Sequence, residues 1–153
     1  MKQTNTINAK GFALLRIAFG LVWAVDAYFK WQPAFISDFK DAVSSAATNQ
    51  PLLIKDWILM WSSTISVNSH HFAIVTAILE TIIALGLLFG VFTRYVIYLG
   101  ILFSLIIWTT AEGFGGPYSG TSTDIGAAII YVFVFIALLL GKSWMIYSFD
   151  ARK

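Results

Sequence analysis

Four long apolar stretches alternate with more polar segments along the chain. They cover roughly residues 12–31, 72–92, 95–111 and 125–141. Each stretch is close to the length that a helix needs to cross the hydrocarbon core of a bilayer, which is about 30 Å thick. The pattern therefore predicts an all-α fold, a four-helix transmembrane bundle that forms a single membrane domain over residues 1–153.

The first outer loop, residues 32–69, has a helical pattern of its own. Pro33 can begin a helix. The apolar residues that recur at helical spacing after it are Phe35, Ile36, Phe39, Val43 and Ala46. A second stretch, from Leu52 to Ile65, carries Trp57 and Trp61 four residues apart. We predict two amphipathic helices that lie on the outer membrane surface or cap the bundle.

Lys and Arg residues are distributed unequally between the two sides of the predicted bundle. With the N-terminus inside, seven fall on the cytoplasmic side and three outside. The inner set is Lys2, Lys10, Arg16, Arg94, Lys142, Arg152 and Lys153; the outer set is Lys30, Lys40 and Lys55. This asymmetry predicts a multi-pass protein of the plasma membrane with both termini in the cytoplasm. A cleaved signal peptide is the alternative for the first stretch, and Arg16 and Asp26 inside it argue against cleavage.

The composition excludes several classes of function. The chain is 58% hydrophobic and 12% charged, and no window clusters Lys and Arg, so we predict no nucleic-acid partner. It has no cysteine, which excludes thiolate metal sites carried by this chain. His70 and His71 are neighbours that point about 100° apart on a helix, so they cannot sandwich a haem. We predict no metal and no haem.

Charged residues inside the apolar stretches are the main functional signal, because such groups are costly in a membrane. Arg16, Asp26 and Lys30 fall on one face of the first helix, and Glu80 lies deep in the second. Arg16 and Lys30 are the available cationic partners for Glu80. We predict catalytic roles for Glu80, Asp26 and Arg16. Two structural alternatives stay open, an interfacial Asp26–Lys30 pair and an Arg16–Glu80 pair without a ligand.

The second outer loop, EGFGGPYSGTSTD (residues 112–124), is rich in glycine and contains a proline. Its backbone N–H groups could face a ligand. Asp124 could instead cap the fourth helix, and Tyr131 shares a face with it. The predicted substrate-binding residues at this end of the bundle are Lys30, Trp108, Glu112, Gly115, Gly116, Tyr118 and Asp124.

Four segments carry a resemblance to a known family. They are ALLRIAFGLVWAVDAYFK, ETIIALGLLFGVFTR, IIWTTAEGFGGPYSGTSTDIGAAIIY and the tail GKSWMIYSFDA. The chain resembles the DoxX/DoxD group of small four-helix membrane proteins, and most of all its DoxD members, which are membrane subunits of thiosulfate:quinone oxidoreductase. The loop GFGGPY is the most specific piece of this resemblance.

The resemblance implies an enzyme subunit that oxidises thiosulfate to tetrathionate and passes electrons to membrane quinone. It also implies a small DoxA-like partner subunit, for which this chain has no corresponding region. As a hypothesis, Lys30 and the loop N–H groups of residues 113–120 hold thiosulfate, and a quinone stacks on Trp108 or Trp23. Glu80 or Asp26 would then relay protons to the quinone.

Two other classes of function remain as alternatives. In one, the chain is a non-catalytic structural subunit of a terminal quinol oxidase or another respiratory membrane complex, and its charged face seats a neighbouring subunit. In the other, it is a small transporter or channel, which is disfavoured because no internal repeat supports alternating access. A family resemblance does not decide between these classes.

Overall fold

A computed structural model describes residues 2–118 and 124–152, with side chains from residue 9 onward. Within these residues the chain is entirely helical and contains no strand. The helices are α1 (Lys2–Lys30), α2 (Pro33–Ser45), α3 (Leu52–Ser66), α4 (Ser69–Phe89), α5 (Thr93–Thr109) and α6 (Ala127–Leu140). Two short 3₁₀ turns complete the list: Gly113–Gly115 follows α5, and Asp150–Arg152 lies in the tail after α6.

The helix ends differ from the predicted ones by a few residues, apart from the start of α1, which lies ten residues earlier than predicted. The apolar pattern predicts that the second stretch ends at residue 92, but α4 ends at Phe89 because Gly90 takes a left-handed φ of +64°. The chain then needs only residues 90–92 to turn into α5. The last predicted stretch began at residue 125, whereas α6 begins at Ala127, after Gly126 with a φ of +91°.

Helices α1, α4, α5 and α6 share one apolar core, built largely from aromatic rings. Trp23 lies at its centre, with ring centroids 5.7 Å from both Tyr131 and Phe135. Phe19 packs edge-on against Phe135 with centroids 4.9 Å apart. Gly100 of α5 faces the Phe135 ring so closely that a Cβ there would clash with it. The four apolar stretches of the sequence thus pack together.

Helices α2 and α3 form a smaller second core at one end of these four helices. Its buried residues are Val43, Ala47, Ile58 and Ile65, and Phe72 of α4 packs against them. Helix α2 contacts α1, α3 and α4, while α3 contacts the 3₁₀ turn after α5. The two predicted amphipathic helices are therefore confirmed as helices, and they cap this end of the molecule.

The charges divide the molecule into two ends. The acidic end comprises α2, α3, the C-terminal ends of α1 and α5, and the N-terminal ends of α4 and α6. The basic end comprises the opposite ends of those four helices and residues 141–152. Of the eight acidic residues, all of which lie in the described ranges, only Asp150 is at the basic end.

Two of the helices are long and apolar enough to cross a membrane, judged by length and composition. They are residues Ala9–Lys30 of α1 and Ser69–Phe89 of α4. Helices α5 and α6 are apolar but shorter, at 17 and 14 residues. Large apolar side chains are exposed on the outside of all four helices, as is typical of surfaces that face lipid. Examples are Leu21, Ile82, Leu102 and Phe133.

Candidate functional site

Three ionisable side chains meet between α1 and α4 at the acidic end. Lys30 Nζ lies 2.9 Å from Asp26 Oδ1 and 3.7 Å from Glu80 Oε2. The Glu80 side chain is fully buried, the Lys30 side chain is 20% exposed and the Asp26 side chain is 37% exposed. We call Asp26, Lys30 and Glu80 the acid–base cluster. It connects a carboxylate that reaches the surface to one that has no contact with solvent.

Small side chains on α4 let α1 approach closely enough to form the cluster. Ala73, Ala77 and Ala84 share the buried face of α4 with Glu80. A hydrogen bond of 3.1 Å from Trp31 Nε1 to Thr81 Oγ1 joins the residues that directly follow Lys30 and Glu80. These contacts place Glu80 about 16 Å from the start of α4, by the rise of 1.5 Å per residue.

The acid–base cluster has fewer cations than anions. One ammonium serves two carboxylates, so the cluster holds one excess negative charge whenever both acids are ionised. Neither carboxylate oxygen of Glu80 accepts a hydrogen bond from any described residue. The Tyr131 hydroxyl is within electrostatic range of Asp26, Lys30 and Glu80. Because an uncompensated buried charge is costly, the buried Glu80 carboxylate depends on Lys30 for its balancing charge.

Helix α2 contacts the acid–base cluster through Phe35. Its Phe35 ring lies under the Lys30 ammonium, with Nζ 5.3 Å from the ring centroid. The rest of the apolar face of α2 packs toward α3 and α4. The loop predicted to lie outside thus places an aromatic ring against the cation of the acid–base cluster.

Arg16 does not pair with Glu80, so this alternative from the sequence is wrong. Arg16 is fully buried at the basic end, where its Nη2 donates to the Tyr147 carbonyl. Its guanidinium contacts Gly90, ten residues after Glu80 on the same chain segment and about 15 Å further along α4. The carboxylate that acts electrostatically on Arg16 is that of Asp150 in the tail. Lys30 is the cation of the buried acid.

The tail after α6 closes the basic end, a role that the sequence interpretation missed. Asp150 accepts hydrogen bonds from the backbone N–H groups of Phe92 and Thr93, at 3.0 and 2.7 Å, and so caps the start of α5. The N–H groups of Phe149 and Asp150 donate to the carbonyls of Phe89 and Gly90 at the end of α4. The tail thereby satisfies backbone groups that two helix ends would leave unpaired. We call Arg16, Gly90 and residues 147–150 the tail latch.

Trp108 and Glu112, predicted to bind substrate, connect α5 to α6. Glu112 Oε2 accepts a hydrogen bond of 3.0 Å from the N–H of Ala128 in the first turn of α6. Trp108 Nε1 donates to the Ile125 carbonyl at 2.9 Å, and its ring packs edge-on against Phe114. Both polar groups are therefore engaged within the chain, in a geometry that fixes the start of α6.

The glycine-rich loop turns its backbone donors inward. The N–H groups of Gly113, Gly115 and Gly116 donate to carbonyls of residues 110, 112 and 113. Tyr118 is exposed, and its hydroxyl donates to the Phe114 carbonyl. Asp124 Oδ1 accepts from the Gly126 N–H at 2.8 Å, which is a local turn before α6. Residues 119–123 of the predicted loop site lie outside the described residues.

Two further buried polar residues lie outside the predicted catalytic and substrate-binding set: Gln50, which the sequence pattern does not mark, and Trp23, predicted above only as a stacking partner for quinone. Gln50 follows α2, and its Nε2 donates to the Gly113 carbonyl at 3.1 Å, tying the two outer loops together. Nothing in its sequence neighbourhood marks it. Trp23 is 1% exposed, and its indole N–H has no acceptor among the residues described. Its place on the polar face of the first helix was the available signal.

The described part of the chain contains no group of His, Asp and Glu residues placed to hold a metal ion. His71 Nδ1 instead lies 2.6 Å from Asn68 Oδ1 near the start of α4. The acid–base cluster instead pairs two acids with a lysine.

The profile of the DoxX family matches residues 11–113, about two thirds of the chain. The chain belongs to the DoxX family. The DoxX match includes the whole acid–base cluster and ends at the start of the glycine-rich turn, so residues 114–118 and the tail lie beyond it. No curated protein and no solved structure matches the chain. The chain is thus a DoxX-family membrane protein, and the family alone does not assign a reaction.

Proposed function

We propose that this chain is the membrane subunit of a thiosulfate:quinone oxidoreductase and that its acid–base cluster supplies protons for quinone reduction. The observation that carries the proposal is the fully buried Glu80, which is linked through Lys30 to the partly exposed Asp26. Ionisable groups at this depth are expensive and are retained mainly for proton or ion transfer. A partner subunit completes the enzyme.

The proposal includes the membrane topology. Helices α5 and α6 would extend roughly 26 and 21 Å at the standard helical rise, so flanking residues complete their crossing of the bilayer. All four core helices then span the plasma membrane. The basic end faces the cytoplasm, by the excess of Lys and Arg there, and both termini are cytoplasmic. The acid–base cluster lies toward the outer surface.

The proton chemistry follows from the charge of the cluster. Two thiosulfate ions yield one tetrathionate and two electrons, and a quinone that accepts two electrons takes up two protons to become a quinol. Glu80 delivers one proton at a time, and Asp26 replenishes it from the surface through Lys30. The buried indole N–H of Trp23 is a donor suited to a quinone oxygen, whereas the indole N–H of Trp108 is already bonded to Ile125.

The proposal that thiosulfate is the substrate rests on the resemblance of the four sequence segments described above to DoxD proteins. The N–H groups at Gly113, Gly115 and Gly116 bond within the turn, and Lys30 is shared by two carboxylates. A dianion would be repelled by the cluster unless one acid were protonated. We therefore propose that thiosulfate binds at the outer surface between Lys30 and a DoxA-like partner, which contributes further cations.

The test is reconstitution with a DoxA-like partner in quinone-containing vesicles, followed by thiosulfate-dependent quinone reduction. We expect turnover in the complete preparation and a loss of about a hundredfold in Glu80→Gln, which cannot release a proton. Asp41→Asn is the matched control, because Asp41 is an exposed acid at the same end of the molecule. Turnover of Glu80→Gln at the wild-type rate would remove the proton role.

The second candidate is a non-catalytic subunit of a terminal quinol oxidase or similar respiratory complex. The observation that favours it is that Trp108, Glu112 and Asp124 all bond within the chain. On this reading the chain co-purifies with an oxidase. The complete preparation would then show no thiosulfate-dependent turnover, and Glu80→Gln would leave the activity of the oxidase unchanged.

A further inference from the structure

A cavity of about 330 Å³ opens at the basic end, between the start of α5 and the tail. It is lined by Phe92, Arg94, Tyr95, Trp144 and Asp150. Two of the lining side chains form a fixed unit, because the Arg94 guanidinium carbon lies 4.5 Å from the centroid of the Trp144 ring. An arginine stacked on an aromatic face is held in place while its N–H groups remain able to bind an anion.

Apart from its contact with Trp144, the Arg94 guanidinium has no charged partner among the described residues. Among the residues described, the ion pairs are those of Lys30, and Arg94 takes part in none. Asp150 lines the same cavity, but its two carboxylate oxygens accept hydrogen bonds from the backbone N–H groups of Phe92 and Thr93. A negatively charged group with two neighbouring oxygens, such as a phosphate, would accept the two parallel hydrogen bonds that a guanidinium favours.

With α5 crossing a membrane as proposed above, the cavity at its first turn lies at the level of the lipid head groups. Arg94 is the second residue of α5, and Tyr95 beside it is 76% exposed, on a helix whose other outer residues are apolar. Lys142 and Arg152 lie at the same end and add positive charge. An aromatic and basic pocket at this position suits an amphiphile with an anionic head and apolar chains.

We propose that this cavity binds the phosphate of an anionic phospholipid, with Arg94 as its ligand and Trp144 and Tyr95 as its aromatic walls. The site is at the opposite end of the molecule from the acid–base cluster. It depends on the chain crossing a membrane and is independent of the reaction with thiosulfate. Its failure in a test would therefore leave the proposed function untouched.

The test titrates the delipidated protein with phosphatidylglycerol or phosphatidylcholine and measures bound lipid by native mass spectrometry. We expect the wild-type chain to prefer phosphatidylglycerol, and Arg94→Gln to lose about fivefold in that affinity, which is the effect of one cation near an anionic head group. Arg94→Lys keeps the charge without the planar stack, so we expect an intermediate affinity. The matched control is Lys10→Gln, an exposed cation at the same end that does not line the cavity.

Several results would overturn the proposal. One is wild-type affinity for phosphatidylglycerol in Arg94→Gln. Another is an equal loss in Lys10→Gln, which would mean that only the overall positive charge of this end attracts the lipid. A third is full competition by millimolar inorganic phosphate, which would make the cavity a site for free anions.

Discussion

Both ends of the molecule bury a charged group between helices, and they compensate it in opposite ways. At the basic end, Arg16 is enclosed by the tail latch, where it donates to a main-chain carbonyl and faces Asp150. At the acidic end, Glu80 shares the Lys30 ammonium with Asp26, and its oxygens accept no hydrogen bond from the described residues. The first arrangement places a permanent cation within the electrostatic influence of a carboxylate that caps α5. The second has two carboxylates and one ammonium.

The difference separates a buried arginine held by backbone contacts from a candidate for chemistry. An arginine cannot release its proton in a protein, so Arg16 cannot exchange protons, and its predicted catalytic role stays a prediction. A carboxylate can change its charge, and an excess of acids over bases makes that change favourable. We therefore expect substitutions at the basic end to alter stability and substitutions at the acidic end to alter turnover.

The largest effect on stability is expected from Gly90→Ala in the tail latch. A Cβ at this position meets the Arg16 guanidinium and Ser148, and the φ of +64° disfavours any other residue. The free energy of unfolding should fall by about 3 kcal/mol. Thermal unfolding in detergent measures it, and Gly11→Ala is the control, because a Cβ on Gly11 meets nothing within 4 Å. Equal stability of the two variants would contradict the close packing of the latch.

A smaller loss is expected from Lys30→Met, which removes the only cation of the acid–base cluster. Two buried or half-buried carboxylates then repel each other, and the free energy of unfolding should fall by about 2 kcal/mol. Adding Glu80→Gln should restore most of that loss, since one of the two charges is removed. A double-mutant cycle of unfolding free energies measures the coupling. Additive effects of the two substitutions would show that Lys30 and Glu80 do not interact.

Asp150→Asn should cost about 1 to 2 kcal/mol of stability, because the amide is a weaker acceptor for the start of α5 and no longer balances Arg16. Quinone reduction by the reconstituted complex should stay at the wild-type rate. Glu80→Gln should behave in the opposite way, with unchanged or increased stability and lost turnover. Measured side by side, the two variants test the comparison, and a loss of turnover in folded Asp150→Asn protein would break it.

The smallest effect is expected from Trp31→Phe, which removes the hydrogen bond to Thr81 but keeps an aromatic ring. The free energy of unfolding should fall by about 1 kcal/mol or less. Because this bond joins α1 to α4 beside Lys30, the turnover of the complex should also fall slightly. Thr81→Val should reproduce both changes. A fall in stability without any change in turnover would separate the helix contact from the function of the cluster.

Much of the fold could be predicted from the apolar pattern, because long hydrophobic stretches and the spacing of Phe39 and Val43 report local helix formation. The ends of the helices could not, since they depend on distant partners. Gly90 ends α4 with the tail packed against it, and Glu112 caps α6 from sixteen residues away. The tail itself has no periodic pattern, so its role as a latch was invisible.

The candidate site was predicted in part. Stepping residues by 100° around α1 correctly put Asp26 and Lys30 on an inward face with Arg16. It could not decide which cation meets Glu80, because that depends on the register between two antiparallel helices. Contacts such as Gly20 with Leu88 set this register, and no residue pattern encodes them. The roles of Glu80 and Asp26 in proton transfer, and of Trp108 and Glu112 in binding, remain predictions.

The central claim is that Glu80 exchanges a proton when quinone is reduced. Infrared difference spectroscopy of the reconstituted protein, recorded between quinone and quinol, tests it most directly. We predict a carboxyl C=O band that changes with the redox state, disappears in Glu80→Gln and persists in Asp41→Asn. A spectrum without a carboxyl band, or one with the same band in Glu80→Gln, would contradict the claim.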